Sequence, residues 1–158
     1  MLNDDKVLRE QLLALLRGGN AHMGFENAVA NFPVEHINTR PPNVEYTPWH
    51  LLEHLRIAQW DILEFIRNPN HVSPNFPEGY WPAPDEQADE PRWRKTLAAF
   101  RADLQALQDI VLDANTNFFS AIPHAPKYTI FREILVVADH NAYHIGELAV
   151  LRQVMKIW

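Results

Sequence analysis

The chain has 158 residues, of which 47% are apolar and 22% are charged, and this predicts one globular domain over 1–158 and excludes general disorder. Acidic residues number 20 and basic residues 14, so a surface that follows nucleic-acid phosphates is disfavoured. Because cysteine is absent, a disulfide scaffold, a thiol nucleophile, an iron–sulfur cluster and a thiolate zinc site are excluded.

The N-terminal part of the chain predicts a helix, a shorter helical stretch and a connector. The first helix is expected near 4–17, where leucines recur at helical spacing and Asn3 can cap the start. The shorter stretch covers about 20–31. Prolines make 33–46 a connector rather than a regular element.

A second long helix is predicted from Pro48 to about Arg67. Thr47 is a favourable N-cap, and a proline at the first helical position loses no hydrogen bond there. The helix ends before an Asn-Pro pair. A proline-rich connection follows over 68–90, and its unusual length for a compact domain suggests a functional role.

The C-terminal part of the chain predicts two more long helices. One starts at Asp89-Glu90-Pro91, runs to about Ala114 and carries the most regular apolar stripe of the chain. A turn at 123–126 precedes the last helix, which is expected over about 128–155. No segment alternates as a half-buried strand does. The predicted fold class is therefore all-α, a four-helix bundle with a short extra helix after the first helix.

The sequence contains no stretch that approaches the roughly 20 apolar residues needed to cross a bilayer. The acidic start of the chain also differs from the basic start of a signal peptide. We therefore expect a cytoplasmic protein that is not embedded in a membrane.

Histidines on two predicted apolar faces are the candidate functional residues. His140 and His144 are four residues apart on the last helix, a spacing that one metal ion can bridge, and both point toward the bundle interior. His54 lies near the apolar face of the second long helix. His50 lies farther from it, in the first turn. Because three imidazoles on core-facing stripes need partners, a metal site of His54, His140 and His144 is one interpretation.

Other interpretations of these histidines remain open. They can form a hydrogen-bonded core cluster, or a site that includes the fourth histidine, His50. A di-iron site is disfavoured because no glutamate precedes His140 or His144 by three residues. Asn141 stands where the zincin motif has its glutamate base, so that protease chemistry is unsupported. Residues 50–54 match the letters H-x-x-E-H, a short pattern that arises easily by chance.

Neighbouring residues have less specific predictions. Asp61 and Glu133 each lie seven residues from a proposed ligand, about 10 Å along a helix. Both are expected to be ion-paired or solvated. Glu147, one turn after His144, can orient a ligand. The aromatic side chains near Tyr80 and Trp81 fit a pocket lid, a dimer interface or a core anchor equally well.

Two segments together resemble the DinB-like (YfiT-like) metal-binding bundle family. They are Thr47-Pro48-Trp49-His50-Leu51-Leu52-Glu53-His54-Leu55-Arg56-Ile57-Ala58 and Asp139-His140-Asn141-Ala142-Tyr143-His144-Ile145-Gly146-Glu147-Leu148. The likeness covers nearly the whole chain. It assigns His54, His140 and His144 as the metal ligands. The sequence departs from the family pattern at Glu147, where glutamine is commoner.

The resemblance implies a divalent metal, zinc or nickel, held by three neutral imidazoles with open positions for water or substrate. It implies a small-molecule substrate and an enzyme similar to thiol S-transferases, which use a low-molecular-weight thiol, or to hydrolases. It also implies a homodimer and no nucleic-acid partner. The alternative is a non-catalytic metal-binding or dimerising bundle. The sequence identifies no general base.

Overall fold

The structure, a computed structural model, describes residues 4–158, so the predicted cap Asn3 lies outside it. The described chain is mostly helical, as predicted. Its α-helices and its one β-hairpin are α1 (Asp4–Arg17), α2 (Phe25–Val29), α3 (Pro48–Arg67), α4 (Glu90–Leu112), β1 (Ala121–Ile122), β2 (Ala125–Thr129) and α5 (Ile130–Met155). Among these residues, no helix has both the length and the apolar character that a membrane crossing requires.

α3 and α4 begin at the capping residues that the sequence indicates, and α5 begins at a cap that was not predicted. The Thr47 hydroxyl accepts a hydrogen bond from the backbone N–H of His50 at 3.1 Å at the start of α3. The Asp89 carboxylate accepts one from the N–H of Arg92 at 2.8 Å at the start of α4. Thr129 caps α5 in the same way. These bonds satisfy backbone donors that have no partner inside a helix, which fixes where each helix begins.

Two short segments differ from the prediction. α2 covers only Phe25–Val29 because Gly24 before it and Ala30 after it have extended backbones, so the helix does not fill 20–31. The predicted turn at 123–126 belongs to a small antiparallel hairpin of β1 and β2. α5 therefore starts two residues later than expected. The paired strands are too short for an alternating pattern to reveal them.

The four long helices pack against one another. α3 contacts α4 and α5, and α1 contacts the same two helices from the other side. Two apolar clusters fill the space between them. One surrounds Trp49, Leu52 and Phe100, and the other surrounds Leu63 and Leu107. α3 and α5, which carry the candidate histidines, are thus held by core packing over their whole length.

A buried polar network links α3, α4 and α5. The Asn141 amide donates a hydrogen bond to the Gln59 side-chain oxygen at 2.9 Å, and the Gln59 amide donates to the Phe100 carbonyl at 2.7 Å. Gln59 is fully buried. Because a buried amide without a partner costs free energy, this network disfavours any sliding of α5 along α3. It therefore sets the register that brings the histidines of the two helices to the same level.

The proline-rich segment (residues 68–90) is not structureless throughout. It contains a 3₁₀ helix, Glu78–Tyr80, and hydrogen bonds join it to both histidines of α3. His50 Nε2 lies 2.7 Å from the Glu86 carbonyl oxygen, and His54 Nδ1 lies 2.9 Å from the Tyr80 carbonyl oxygen. The segment thus runs over the part of α3 that carries the histidines.

Candidate metal centre

The structure brings His54 of α3 together with His140 and His144 of α5, the three histidines that the sequence selects. His54 Nε2 lies 3.0 Å from His140 Nε2 and 3.1 Å from His144 Nε2. One ring nitrogen from each residue lies within 4.8 Å of the others, a grouping that could hold a metal ion. His54 is buried, and the other two are partly buried.

The second nitrogen of two of these rings has a fixed partner. His54 Nδ1 donates to the Tyr80 carbonyl, which can only accept. His144 Nδ1 lies 2.6 Å from a Glu147 carboxylate oxygen, and the other oxygen of that carboxylate accepts a hydrogen bond from the Tyr46 hydroxyl. Both imidazoles therefore carry their proton on Nδ1 when neutral. Their Nε2 lone pairs then point toward the centre of the cluster.

Two of the imidazoles, those of His140 and His54, are held in the neutral form that a metal ligand requires. Burial, followed by the nearby His144 and His54, lowers the pKa of His140 to about 3. Burial also lowers the pKa of His54. At neutral pH these two rings accordingly keep a free lone pair instead of repelling a cation.

A hydrogen-bonded cluster of three neutral imidazoles leaves one of the two short contacts without a proton between its nitrogens. A proton on His140 Nε2 can satisfy His54, but the His54–His144 contact still joins two Nε2 atoms whose protons are on Nδ1. His140 Nδ1 is buried and has no hydrogen-bond partner among residues 4–158 in either arrangement. In a tetrahedral site with metal–nitrogen bonds of 2.0–2.1 Å, ligand nitrogens lie about 3.3 Å apart. The contacts of 3.0 and 3.1 Å are close to that spacing, so the residues present fit a divalent ion.

A cavity of about 340 Å³ opens beside His54 and His140. Its walls are formed by α3, α5, β2 and the proline-rich segment, and most of its lining is apolar or aromatic. On another side of the cluster, the Trp81 ring stacks on His54 at 3.9 Å. The cluster is thus covered by an aromatic ring and open toward a cavity large enough for a small molecule.

His50, the fourth histidine considered, is not part of the cluster. Its Nδ1 lies 3.4 Å from the Thr47 backbone nitrogen, which donates to it, and its Nε2 donates to the Glu86 carbonyl. Both ring nitrogens are therefore used within the protein. His50 caps α3 and fastens the proline-rich segment.

Glu133 is ion-paired with Arg132, Asp61 is hydrogen-bonded to His71 and Tyr80, and neither carboxylate is solvated. Asp61 is 8% exposed and accepts hydrogen bonds at 2.6 Å from both His71 Nε2 and the Tyr80 hydroxyl. Glu133 is 3% exposed and accepts one from Arg132 at 2.6 Å. The solvated alternative is wrong because the proline-rich segment covers Asp61 and because Glu133 faces the cavity rather than the protein surface.

Several residues that support the site were not identified from the sequence. His71 and Glu86 act through contacts between the proline-rich segment and α3, and Gln59 and Asn141 act through a contact between two helices. The one sequence signal for the buried network is an amide side chain, that of Gln59, among the apolar residues of α3. Tyr80 lines the cavity and Trp81 stacks on His54, as a pocket lid would, and Trp81 also packs against an apolar core cluster, as a core anchor would.

A model of the DinB superfamily matches residues 19–148, a span that includes α2 to α4, most of α5 and all three clustered histidines. No curated protein and no solved structure shows a significant match to the chain. Since the family model covers well over half of the sequence, the chain belongs to the DinB superfamily.

Proposed function

We propose that this protein is a metal-dependent enzyme that binds one divalent ion, zinc or nickel, through His54, His140 and His144. One observation carries the proposal: the Nε2 atoms of His54 and His144 lie 3.1 Å apart. When both rings are protonated on Nδ1, their Nε2 lone pairs repel each other unless a cation lies between them. Three imidazoles leave at least one coordination position free, as in catalytic metal sites.

The reaction proposed is the activation of a small thiol or of water, as in thiol S-transferases or hydrolases. When bound, the metal would act as a Lewis acid that lowers the pKa of a coordinated thiol or water. The chain's own residues do the remaining work. Tyr80 and Glu147 orient two of the ligand rings, Trp81 shields one of them from water, and the cavity receives the second substrate.

For the whole molecule we propose a four-helix bundle that works as a cytoplasmic homodimer with no nucleic-acid partner. Exposed apolar side chains on α5 support the dimer: Tyr143 is 68% exposed, Val150 54% and Val154 50%. Burying such side chains against a second copy is favourable. Light scattering after size exclusion should give twice the monomer mass, and a Val150→Lys variant should reduce it to the monomer mass.

The first experiment measures the metal content of protein purified without a histidine tag. We expect about one divalent ion per chain and its loss in His140→Ala, with unchanged content in His124→Ala, because His124 lies on the exposed hairpin and its Nε2 donates to the Phe65 carbonyl, away from the cluster. Equal metal content in all three proteins would contradict the site.

The second experiment tests for catalysis with the metal-loaded protein. Small thiols are combined with an electrophile such as chlorodinitrobenzene, and nitrophenyl esters serve as hydrolase substrates. We expect a product that disappears on chelation and in His140→Ala. A protein that binds the metal stoichiometrically but turns over neither substrate class would favour the non-catalytic metal-binding alternative.

A further inference from the structure

The cavity beside the cluster has a polar end that the proposed metal chemistry does not use. Along α5, the cavity wall is formed in turn by His140, Val136 and Glu133. Steps of four and three residues keep these side chains on one helix face. Glu133 therefore lies about 10 Å along the axis from the nearest proposed ligand. A ligand in this cavity meets the histidines at one end and a carboxylate at the other.

Glu133 is a buried carboxylate with one partner. The residue is 3% exposed, and among the residues that the structure describes only Arg132 donates a hydrogen bond to it, to one oxygen. The Arg132 side chain is 53% exposed and lies over the Tyr128 ring at 5.0 Å, so it sits at the cavity rim. A carboxylate so deeply buried is costly unless its remaining oxygen also receives a donor.

The other carboxylate of the cavity is already satisfied. Asp61 receives hydrogen bonds from His71 and Tyr80, which hold the proline-rich segment on α3. Burial and the bond to Asp61 raise the pKa of Tyr80 to about 12, so its hydroxyl remains a donor at neutral pH. Asp61 is therefore an anchor, and Glu133 is the carboxylate available to a ligand.

We propose that the cavity binds a small molecule with a cationic hydrogen-bond donor, such as a primary ammonium group, which pairs with Glu133. The rest of that molecule is apolar or aromatic, to match Phe65, Tyr128 and Val136. Its other end carries a thiol or carbonyl that reaches the histidines. The substrate class is thus an amine with a metal-binding group on the order of 10 Å away. This assignment rests on the proposed function.

The Arg132–Glu133 pair could instead bind an anionic ligand through Arg132. The different burial of the two side chains disfavours this alternative. The guanidinium is half exposed and already neutralised by Glu133, whereas the carboxylate is almost wholly buried with an oxygen left over. A ligand cation gains more from the group that is less exposed to solvent.

The first test uses metal-free protein and calorimetric titration with phenylbutylamine, phenylbutanol and phenylbutyric acid. We expect the amine to bind about tenfold or more tightly than the alcohol, the acid to bind most weakly, and Glu133→Gln to abolish the preference. Glu35→Gln, which removes an exposed carboxylate elsewhere, should change nothing. Arg132→Gln should tighten amine binding because it removes the competing guanidinium. A purely structural role of Glu133 predicts no such gain.

The second test uses zinc-loaded protein and measures how tightly aminohexanethiol and hexanethiol bind. The two thiols compete with each other for the protein-bound zinc. We expect the aminothiol to bind about tenfold more tightly, and this advantage to vanish in Glu133→Gln. Equal binding of the two thiols, or preference for the acid in the first test, overturns the inference. A protein that takes up neither zinc nor nickel refutes the proposed function alone, and the metal-free titration still decides whether Glu133 recognises a cation.

Discussion

His50 and His54 lie one turn apart on α3, but their surroundings differ. The first turn of α3 is a region of backbone contacts, in which His50 uses one ring nitrogen for the Thr47 N–H and the other for the Glu86 carbonyl. The second turn faces α5, and there His54 uses Nδ1 for the Tyr80 carbonyl while its Nε2 meets two other imidazoles.

This difference separates a structural histidine from a candidate ligand. A ring whose two nitrogens are satisfied by the backbone has no electron pair left for a metal. A ring that is fixed on one side by a carbonyl or carboxylate presents a lone pair on the other, which is how proteins prepare imidazole for coordination. The two regions share a segment, 68–90, that binds both histidines.

The largest difference between the two regions should appear in metal binding. His54→Ala removes a proposed ligand, and we expect the affinity for zinc to fall by more than about 100-fold, beyond the 10–100-fold typical of outer partners. Competition with a chelating dye measures this. His124→Ala is the matched control. If the zinc affinity is unchanged in His54→Ala, then His54 is not a metal ligand and, like His50, has only a structural role.

Glu147 tests whether orientation of a ligand matters. Glu147→Ala leaves His144 Nδ1 without its 2.6 Å partner, so zinc affinity should fall about 10–100-fold. Glu147→Gln keeps an acceptor oxygen and should retain part of the affinity. If alanine and glutamine variants both bind zinc as the wild type does, the carboxylate contributes only to packing.

His50→Ala should show the reverse behaviour. The change removes two hydrogen bonds and leaves a cavity at a residue that is 3% exposed, so the free energy of unfolding should fall by about 1–2 kcal/mol. Zinc affinity per folded chain should stay the same. Urea unfolding and dye competition give the two numbers. Loss of zinc binding in the folded variant would show that the two regions are coupled through the proline-rich segment.

The smallest effect is expected at the helix cap itself. Thr47→Ala removes the oxygen that accepts from the His50 N–H, and the free energy of unfolding should fall by about 1 kcal/mol. Thr47→Ser keeps that oxygen and should be close to the wild type in thermal unfolding. Equal losses in both variants would mean that the threonine methyl group, rather than the cap, stabilises this end of α3.

The fold could be predicted where local signals are strong. α1 and α3 occupy the ranges 4–17 and 48–67 that were expected, because glycines, caps and prolines act on the backbone within a few residues. The hairpin of β1 and β2 and the short extent of α2 could not be predicted. The strands of the hairpin are too short to show an alternating pattern, and α2 packs against α5, which is distant in the sequence.

For the candidate site, helical spacing predicted which histidines face inward, and the structure places His54, His140 and His144 side by side. Their role as metal ligands remains a prediction. The spacing could not show that His50 is satisfied by Glu86, or that Glu133 is buried beside a cavity, because both outcomes depend on how the proline-rich segment and the rim of α5 pack.

The sequence by itself determined the helices, their inward faces and the exclusion of thiolate chemistry, since periodicity, capping and composition act through the local chain. Only the tertiary structure decided which nitrogen of each imidazole is free and which carboxylate is left with an unused oxygen. Those properties belong to pairs of groups from different segments, and they exist only after core packing and the Gln59–Asn141 bond have fixed α3 against α5.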